Sequence, residues 1–395
     1  MINDCSLLSH QTVDKFQISK IMAGIYIHIP YCKTKCIYCD FYSITNLSRK
    51  DELVRAVLQE INERKGYLDE VVSTIYFGGG TPSVLKTVDI NSILQVIYTN
   101  FDVDNDAEIT LEANPDDLTL DYLKTLRNIG INRLSIGIQS FDDKQLRAIN
   151  RRHTAETALL SVKLAQKAGF ENISIDLIFG LPGQNLESWK KQLNKAMTLN
   201  VQHISAYGLI YEENTPLWKQ MKAGKTAPAD DELSVEMYDY LMKICAKNGF
   251  EQYEISNFSK PGFRSKHNSS YWTQTPYIGI GPSAHSYNIH SRQWNISSVE
   301  NYCRNITNGK SYFEKEILSE KDKYNDFVMV SLRTIEGINL DAVKNQFGEK
   351  MHDYCIQSAA KYIENHKLHI TNNFLRLTSE GILISDKIIV DLMYV

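Results

Sequence analysis

The sequence lacks the features of a membrane-spanning or secreted chain. No apolar run approaches the roughly 18 residues that a transmembrane helix needs. The first 21 residues are polar and mixed in charge, without the apolar segment of a signal peptide. Met22 directly precedes the first apolar strand. We therefore expect translation to start at Met22 and residues 1–21 to be a dispensable extension.

Isolated cysteines and a small net charge exclude two further classes of protein. Cys5, Cys245, Cys303 and Cys355 stand singly, so the chain has no disulfide framework. The net charge of −4 lacks the excess of positive charge with which proteins bind nucleic-acid phosphates, and we expect no nucleic-acid partner. A chain of 395 residues with ordinary globular composition is long enough for one large domain and a smaller one.

The remaining cysteines are clustered in the segment Cys32-Lys-Thr-Lys-Cys36-Ile-Tyr-Cys39. Three thiolates on one loop can hold three irons of a [4Fe–4S] cluster and leave the fourth iron open to another ligand. Zinc is the alternative, although structural zinc normally takes four protein ligands and no paired Cys/His group follows at finger-like spacing. Three cysteines cannot all pair as disulfides. A cluster and isolated thiols together indicate a reducing cytoplasm.

Short apolar strands alternate with amphipathic segments in the first half of the chain. The predicted strands are Ile25–Ile29, Thr74–Phe77, Glu108–Glu112, Arg133–Ile138, Ile173–Ile178 and His203–Tyr207. The predicted helices between them are Asp51–Lys65, Val88–Thr99, Thr119–Ile129, Ala155–Ala168 and Leu186–Leu199. This alternation predicts an α/β fold with a parallel sheet, either doubly wound or a partial barrel. Active groups are expected at the carboxyl ends of the strands.

Polar or flexible residues follow several of these strands. In Gly78-Gly79-Gly80-Thr81-Pro82, three glycines let the main chain approach a ligand closely. The alternative is a glycine turn that binds no ligand. Glu112 ends the third strand, where a carboxylate can accept hydrogen bonds from ribose hydroxyls.

Three further polar residues are candidates for the same site. Gln139 offers both donors and an acceptor, while Arg151 can bind a carboxylate with two parallel hydrogen bonds. Asp176 lies within an apolar strand, where a carboxylate is costly to bury without a partner.

These features resemble the radical S-adenosylmethionine (SAM) family. The Cx3Cx2C spacing, the GGGTP loop and the string Asp176-Leu-Ile-Phe-Gly-Leu-Pro-Gly carry the resemblance. It implies a partial (β/α)6 barrel, in which SAM chelates the open iron of a cluster bound by Cys32, Cys36 and Cys39. The residues implied to form the SAM cavity are Tyr26, Tyr38, Gly79, Gly80, Thr81, Glu112, Gln139, Arg151 and Asp176.

The resemblance narrows to one branch of that family. Tyr26-Ile-His-Ile-Pro-Tyr31 looks like the branch that contains oxygen-independent coproporphyrinogen III oxidase. That oxidase carries an additional cysteine where this chain has Phe41. The strings His267-Asn-Ser-Ser-Tyr271-Trp272 and Gly-Ile-Gly-Pro-Ser-Ala-His285-Ser are marks of haem-chaperone relatives of the oxidase.

Haem binding is chemically reasonable for the HNxxYW string. His267 offers an imidazole to iron, while Tyr271 and Trp272 offer flat apolar faces to a macrocycle. The alternative is that these aromatics pack in the core and that His267 is a hydrogen-bonded core histidine. His285 is the second candidate for the axial ligand.

We divide the chain into a radical SAM core (22–230), an extension with the HNxxYW string (231–311) and a small winged-helix-like domain (312–395). Residues 231–249 are predicted as a helix of the extension. In the last part, helices are predicted over Asp326–Leu332, Asp341–Phe347 and Lys350–Asn365. A hairpin with its turn at Asn372-Asn373 follows.

The resemblance implies a cytoplasmic haem chaperone that binds haem, a [4Fe–4S] cluster and SAM and delivers haem to a respiratory haem protein. A homodimer, and a peripheral membrane contact made through the acceptor, are left open. The alternative is the oxidase itself, which decarboxylates coproporphyrinogen III by a radical mechanism. A third interpretation is a radical SAM enzyme acting on another small molecule.

Overall fold

The computed structural model describes residues 22–395. The expectation for residues 1–21 therefore lies outside the described residues. Most of the strands pair into one large sheet, and helices connect the parallel strands at its centre. On β1 (Met22–Ile29), Ile25, Ile27 and Ile29 belong to the main apolar core. Tyr26 and His28 point to the opposite face, since side chains alternate along a strand. The sheet thus has an apolar face against the helices and a more polar inner face.

Six parallel strands form the central part of this sheet. After β1 come β2 Val71–Gly79, β3 Val103–Ala113, β4 Arg133–Gln139, β5 Asn172–Phe179 and β6 His203–Gly208. The helices in this region are α1 Lys50–Glu63, α2 Thr87–Asn100, α3 Leu120–Asn128, α4 Asp143–Ala148, α5 Ala155–Lys167, α6 Leu186–Met197 and α7 Pro216–Lys222. Short 3-10 helices follow β2 and β3 at Pro82–Val84 and Pro115–Asp117. The prediction of a partial parallel barrel is confirmed.

Residues of the predicted extension lie at both edges of the same sheet. They form α8 Asp231–Lys247, β7 Glu251–Gln252, β8 Asn257–Ser259, α9 Lys266–Trp272, β9 Tyr277–Ile280, β10 His285–Tyr287, β11 Ser291–Asn295 and α10 Val299–Thr307. With β12 (Phe313–Ile317), the strand order is β12-β11-β10-β9-β1-β2-β3-β4-β5-β6-β8-β7. The two ends of this order do not pair with each other, so the barrel stays open.

A small helical domain with its own sheet completes the chain. Its elements are α11 Glu320–Leu332, β13 Ile338–Asn339, α12 Leu340–Glu364, β14 Leu368–Thr371, β15 Phe374–Leu377, α13 Ser379–Ile382 and α14 Ser385–Leu392. Gly348 interrupts α12 with a φ of 83°, where the sequence predicted a break between two helices. The predicted hairpin is confirmed, and its turn residues Asn372 and Asn373 have φ of 51° and 64°. The boundaries proposed between the three regions stay predictions.

Within residues 22–395, no helix has both the length and the apolar character needed to cross a membrane.

Candidate cofactor site

The clustered cysteines lie on the loop that leaves the carboxyl end of β1. Main-chain hydrogen bonds shape this loop: the Cys32 N–H donates to Ile44 O at 3.0 Å, and the Cys39 N–H donates to Cys36 O at 3.4 Å. The Thr81 hydroxyl of the glycine loop lies 3.4 Å from Cys32 Sγ. All three cysteines are free and partly buried, so their sulfur atoms are available as metal ligands.

The cysteine loop forms one wall of a cavity of about 450 Å³. The cavity lies at the carboxyl ends of the parallel strands, which meet at one edge of the sheet. Eleven of the residues predicted from the sequence line it together: Cys32, Cys36, Tyr38, Cys39, Gly79, Gly80, Thr81, Glu112, Gln139, Arg151 and Asp176.

The glycine loop after β2 needs glycine for steric reasons. Gly79 has a φ of 107°, which lies in the region that favours glycine. A Cβ atom on Gly80 would lie 2.9 Å from the main-chain N and O atoms of Tyr31. The loop is thereby packed against the start of the cysteine segment, and its main chain faces the cavity.

Glu112, at the end of β3, is held by two donors. The Tyr76 hydroxyl donates to Glu112 Oε1 at 2.7 Å, and the main-chain N–H of Gly79 also donates to this carboxylate. Burial raises the pKa of Glu112 to about 7, although the Tyr76 hydrogen bond opposes that shift. The carboxylate is therefore preorganised to accept hydrogen bonds from a ligand.

Arg151 connects the cysteine loop with the strand ends. One of its terminal nitrogens, Nη1, lies 3.5 Å from Cys36 Sγ, and Nη2 donates to Asn114 Oδ1 at 2.7 Å. The Arg151 Nε atom is buried and has no hydrogen-bond partner among the described residues. Gln139, beside it, has a φ of 64°, a strained conformation that is typical of functional sites.

Asp176 lies on β5 and lines the same cavity as the cysteines. The Ser135 hydroxyl donates to Asp176 Oδ1 at 3.1 Å, and Ser205 also hydrogen-bonds to the carboxylate. Burial raises the pKa of Asp176 nevertheless. A hydroxyl-rich or cationic ligand in the cavity would compensate for this buried carboxylate.

This donor set suits the two groups that the family resemblance implies. Three thiols on one loop match a cluster with one open iron. A ligand that carries an amino group, a carboxylate and ribose hydroxyls would meet the glycine-loop main chain, the Arg151 side chain and the Glu112 carboxylate. The residues present therefore fit both a [4Fe–4S] cluster and SAM.

The HNxxYW string forms helix α9, which is anchored inside the barrel. Glu108, on β3, accepts hydrogen bonds from the main-chain N–H groups of Lys266 and His267, each at 3.1 Å. The Ser265 side chain caps the same helix end by accepting from the Asn268 N–H at 3.3 Å. Two anchors therefore fix the start of α9.

His267 is buried, with 1% of its surface exposed. Its Nδ1 is hydrogen-bonded to Thr74 Oγ1 at 2.8 Å and its Nε2 to the Tyr271 hydroxyl at 2.9 Å. The ring stacks on Tyr76 at a centroid distance of 4.8 Å. Burial lowers the pKa of His267 to about 3, so the imidazole is neutral. Both ring nitrogens are engaged, and axial ligation of haem would require one of these hydrogen bonds to break.

The other predicted haem residues and Tyr26 do not line the cavity of the cysteines. Trp272 is half-buried beneath the guanidinium of Arg333, from the C-terminal domain, at 5.8 Å. Tyr26 points into the barrel and hydrogen-bonds to His28 Nδ1 at 2.9 Å. His285 is exposed on β10, where its ring stacks on Trp294 of the neighbouring strand at 6.3 Å.

Sequence reasoning missed three residues that support the cavity: Tyr76, Asn114 and Ser135. Tyr76 and Ser135 lie within strands. Tyr76 donates a hydrogen bond to Glu112, and Ser135 donates one to Asp176. Strand alternation could have indicated them, because both point to the same face of the sheet as the carboxylate they hold. Asn114 directly follows Glu112-Ala, and nothing in the sequence indicates that it faces Arg151.

Comparison with known proteins defines the class. A family profile described as the radical SAM superfamily matches residues 26–196, and one described as the HemN C-terminal domain matches residues 318–384. The fold is similar to that of Escherichia coli coproporphyrinogen III oxidase (HemN), with a TM-score of 0.83 and 23% identity over 95% of this chain and 90% of that one. The fold and these matches define a radical SAM protein with a HemN-type C-terminal domain.

Curated relatives show the family. Heme chaperone HemW of Lactococcus lactis is 35% identical over 89% of this chain and 94% of its own length. HemW of Bacillus subtilis is 34% identical over 93% and 98%. Radical S-adenosyl methionine domain-containing protein 1, mitochondrial, of Bos taurus is 32% identical over 94% and 87%. This chain belongs to the HemW family.

Proposed function

We propose that this protein is a cytoplasmic haem chaperone that binds haem, a [4Fe–4S] cluster and SAM and delivers haem to a respiratory haem protein. The observation that carries the proposal is the nearly full-length similarity to proteins named heme chaperone HemW. The acceptor, a homodimer and a membrane contact through the acceptor stay predictions.

The cavity residues have distinct parts in cofactor binding. Cys32, Cys36 and Cys39 would hold the cluster, which supplies an open iron position and one-electron chemistry when bound. The main chain of Gly79 and Gly80 would bind an amino group. The glycine loop and the cysteine loop both line the cavity.

Residues at the strand ends and in the loops that follow them would bind the remainder of SAM. Glu112 would accept ribose hydroxyl hydrogen bonds, and Arg151 would donate to a carboxylate. Thr81, Gln139 and Asp176 also line the cavity.

Phe41 favours the chaperone over the oxidase. It stands where the resemblance places the additional cysteine of the oxidase, and it lines the cavity mouth with 65% of its surface exposed. A phenyl ring supplies no metal ligand, and it presents an apolar surface beside the cysteines.

Two histidines are candidates for the axial haem ligand. His267 has the family resemblance in its favour, but both of its ring nitrogens are hydrogen-bonded inside the barrel. His285 has an exposed ring on β10, which pairs with β9 and β11. Ligation by His267 would be accompanied by movement of α9, whereas ligation by His285 would leave α9 in place.

The test is an anaerobic haem titration of the cluster-reconstituted protein, followed by Soret absorbance. His267→Ala and His285→Ala are titrated alongside, with the exposed His290→Ala as the matched control. Coproporphyrinogen III turnover is assayed on the same preparation. Stoichiometric haem binding without turnover is the expected result, and the variant that changes the Soret spectrum identifies the ligand. Turnover without haem binding would overturn the proposal and favour the oxidase.

A further inference from the structure

The HNxxYW helix and the cofactor cavity share one side chain, Tyr76. We propose that Tyr76 is a positioning residue for the Glu112 carboxylate, and that His267 of α9 positions Tyr76 in turn. This inference rests on the proposed SAM binding at Glu112. It assigns the buried histidine of the HNxxYW string a part in SAM binding that is independent of haem ligation.

The contact between Tyr76 and Glu112 is tightly constrained. The phenol donates to Glu112 Oε1 at 2.7 Å from a ring that is 9% exposed. A Cβ atom on Gly78 would lie 2.9 Å from the Tyr76 ring and 3.1 Å from Glu112 Oε1. The carboxylate is thus confined between a fixed phenol and the main chain of the glycine loop.

His267 restrains the Tyr76 ring from inside the barrel. The two rings stack with an interplanar angle of 21°, and the hydrogen bonds to Thr74 and Tyr271 prevent the imidazole from rotating. Tyr26 stacks against the same pair, at 6.2 Å from Tyr76 and 6.4 Å from His267. Glu108 holds the beginning of α9 in place, so the support of Tyr76 is continuous with the sheet.

Several groups on other elements act on the charge of Glu112. Asp176, on β5, disfavours its ionised form, and Arg133, on β4, favours it. The phenols of Tyr26 (β1) and Tyr271 (α9) also lie within electrostatic range of Glu112. Tyr76 is the one side chain among the described residues that donates a hydrogen bond to this carboxylate. Its removal should therefore disfavour the ionised form that accepts ribose hydroxyls.

The first experiment measures SAM affinity against pH for the cluster-reconstituted protein, by anaerobic calorimetry. In the wild type, affinity should rise as Glu112 ionises. In Tyr76→Phe, we expect the midpoint of that rise to move to higher pH and the affinity at pH 7 to fall about tenfold. SAM's own groups titrate identically in all variants. Tyr122→Phe, which removes a phenol hydrogen bond to Leu85 O outside the cavity, is the matched control and should leave the profile unchanged.

The second experiment separates the ring of His267 from its nitrogens. His267→Phe keeps an aromatic face against Tyr76 but has no lone pair for iron, whereas His267→Ala removes the face. We expect His267→Ala to bind SAM about tenfold more weakly than wild type. His267→Phe should lie between the two, because it keeps the aromatic face but loses the hydrogen bonds to Thr74 and Tyr271. Circular dichroism before each titration shows whether the variants are folded.

The outcomes distinguish this inference from the proposed function. If the wild type binds SAM and Tyr76→Phe keeps both its midpoint and its affinity, the inference is overturned and the proposed function stands. If the wild type does not bind SAM, the cofactor part of the proposed function fails, and this inference fails with it. Equal SAM affinity in His267→Ala and wild type would contradict the claim that His267 positions Tyr76.

Discussion

At Gly80 the main chain passes so close to Tyr31 that a Cβ atom would clash with Tyr31 main-chain atoms. We predict that Gly80→Ala lowers the free energy of unfolding by about 1–3 kcal/mol, because the new Cβ meets main-chain atoms that cannot yield cheaply. SAM binding should be lost as well, since the loop would have to move. Equilibrium urea unfolding measures the first effect and calorimetry the second.

Gly66→Ala is the matched control for that substitution. A Cβ atom at Gly66 would have no heavy atom within 4 Å, so its stability should change by less than about 0.5 kcal/mol. Equal effects of the two substitutions would contradict the steric explanation.

The buried neutral His267 makes stability depend on pH. Its pKa is about 3 in the folded protein, and an unfolded histidine has its ordinary value near 6.5, so the unfolded state binds more protons below pH 6.5. The contribution of His267 to the free energy of unfolding is therefore fully present above pH 6.5. It is lost as the pH falls from 6.5 towards the folded pKa of about 3. Between pH 7.5 and 5, wild type should therefore lose about 2 kcal/mol more stability than His267→Phe.

Urea unfolding at a series of pH values checks this difference. Buried carboxyl groups such as Glu112 titrate in both proteins, so their effect cancels in the comparison. His290→Phe, at an exposed position, should follow the wild-type profile. Parallel profiles for wild type and His267→Phe would show that His267 is not buried as a neutral ring.

At the scale of single elements, the hairpin of β14 and β15 is determined by its two turn residues. Both Asn372 and Asn373 adopt positive φ, the combination that a two-residue hairpin turn requires. Asparagine tolerates this region, and a β-branched residue does not. We predict that Asn373→Val lowers the free energy of unfolding by about 1–2 kcal/mol.

Asn373→Gly is the control for the turn, because glycine adopts positive φ without strain. It should stay within about 0.5 kcal/mol of wild type in the same denaturant titration. Comparable losses in both variants would mean that the asparagine side chain, rather than the backbone conformation, stabilises the turn.

Helix α9 shows what sequence patterns cannot establish for a short element. Its seven residues are too few to be stable alone, so tertiary contacts decide where it lies. The buried carboxylate of Glu108 satisfies its first N–H groups, and these two partners are more than 150 residues apart. The sequence indicated an imidazole suited to iron, whereas the fold places that imidazole between two hydroxyls.

At the scale of the whole molecule, residues 22–395 form two large apolar cores and a small third cluster of Ile149, Ile178 and Leu181. Residues of the barrel and its edge strands share one, while Tyr324, Val328, Leu375 and Ile388 belong to the other. The two parts meet through main-chain hydrogen bonds, including Ile255 N–H to Arg333 O at 3.1 Å. We predict that a fragment of residues 319–395 folds cooperatively by itself, because its core needs no barrel residue.

Thermal unfolding of this fragment, followed by circular dichroism, checks the prediction. Leu375→Asp in the fragment, which places a charge in the core, should abolish the transition. A wild-type fragment without a cooperative transition would show that the barrel is required for the folding of this domain.

The sequence by itself determined the strand–helix alternation, the break near Gly348, the asparagine turn and eleven of the residues that meet in the cavity. These features depend on local periodicity, on backbone preferences and on motifs at strand ends, which any parallel sheet brings to one edge. The partial barrel and the family were predicted from the resemblance of these motifs to the radical SAM family.

Only the tertiary structure decided that the extension lies at both edges of one sheet, that Tyr76 and Ser135 support the carboxylates, and that His267 is enclosed within the barrel. Each of these depends on contacts between residues far apart in the chain. Such contacts are selected by packing and by the need to satisfy buried polar groups, and neither leaves a periodic signal in the sequence.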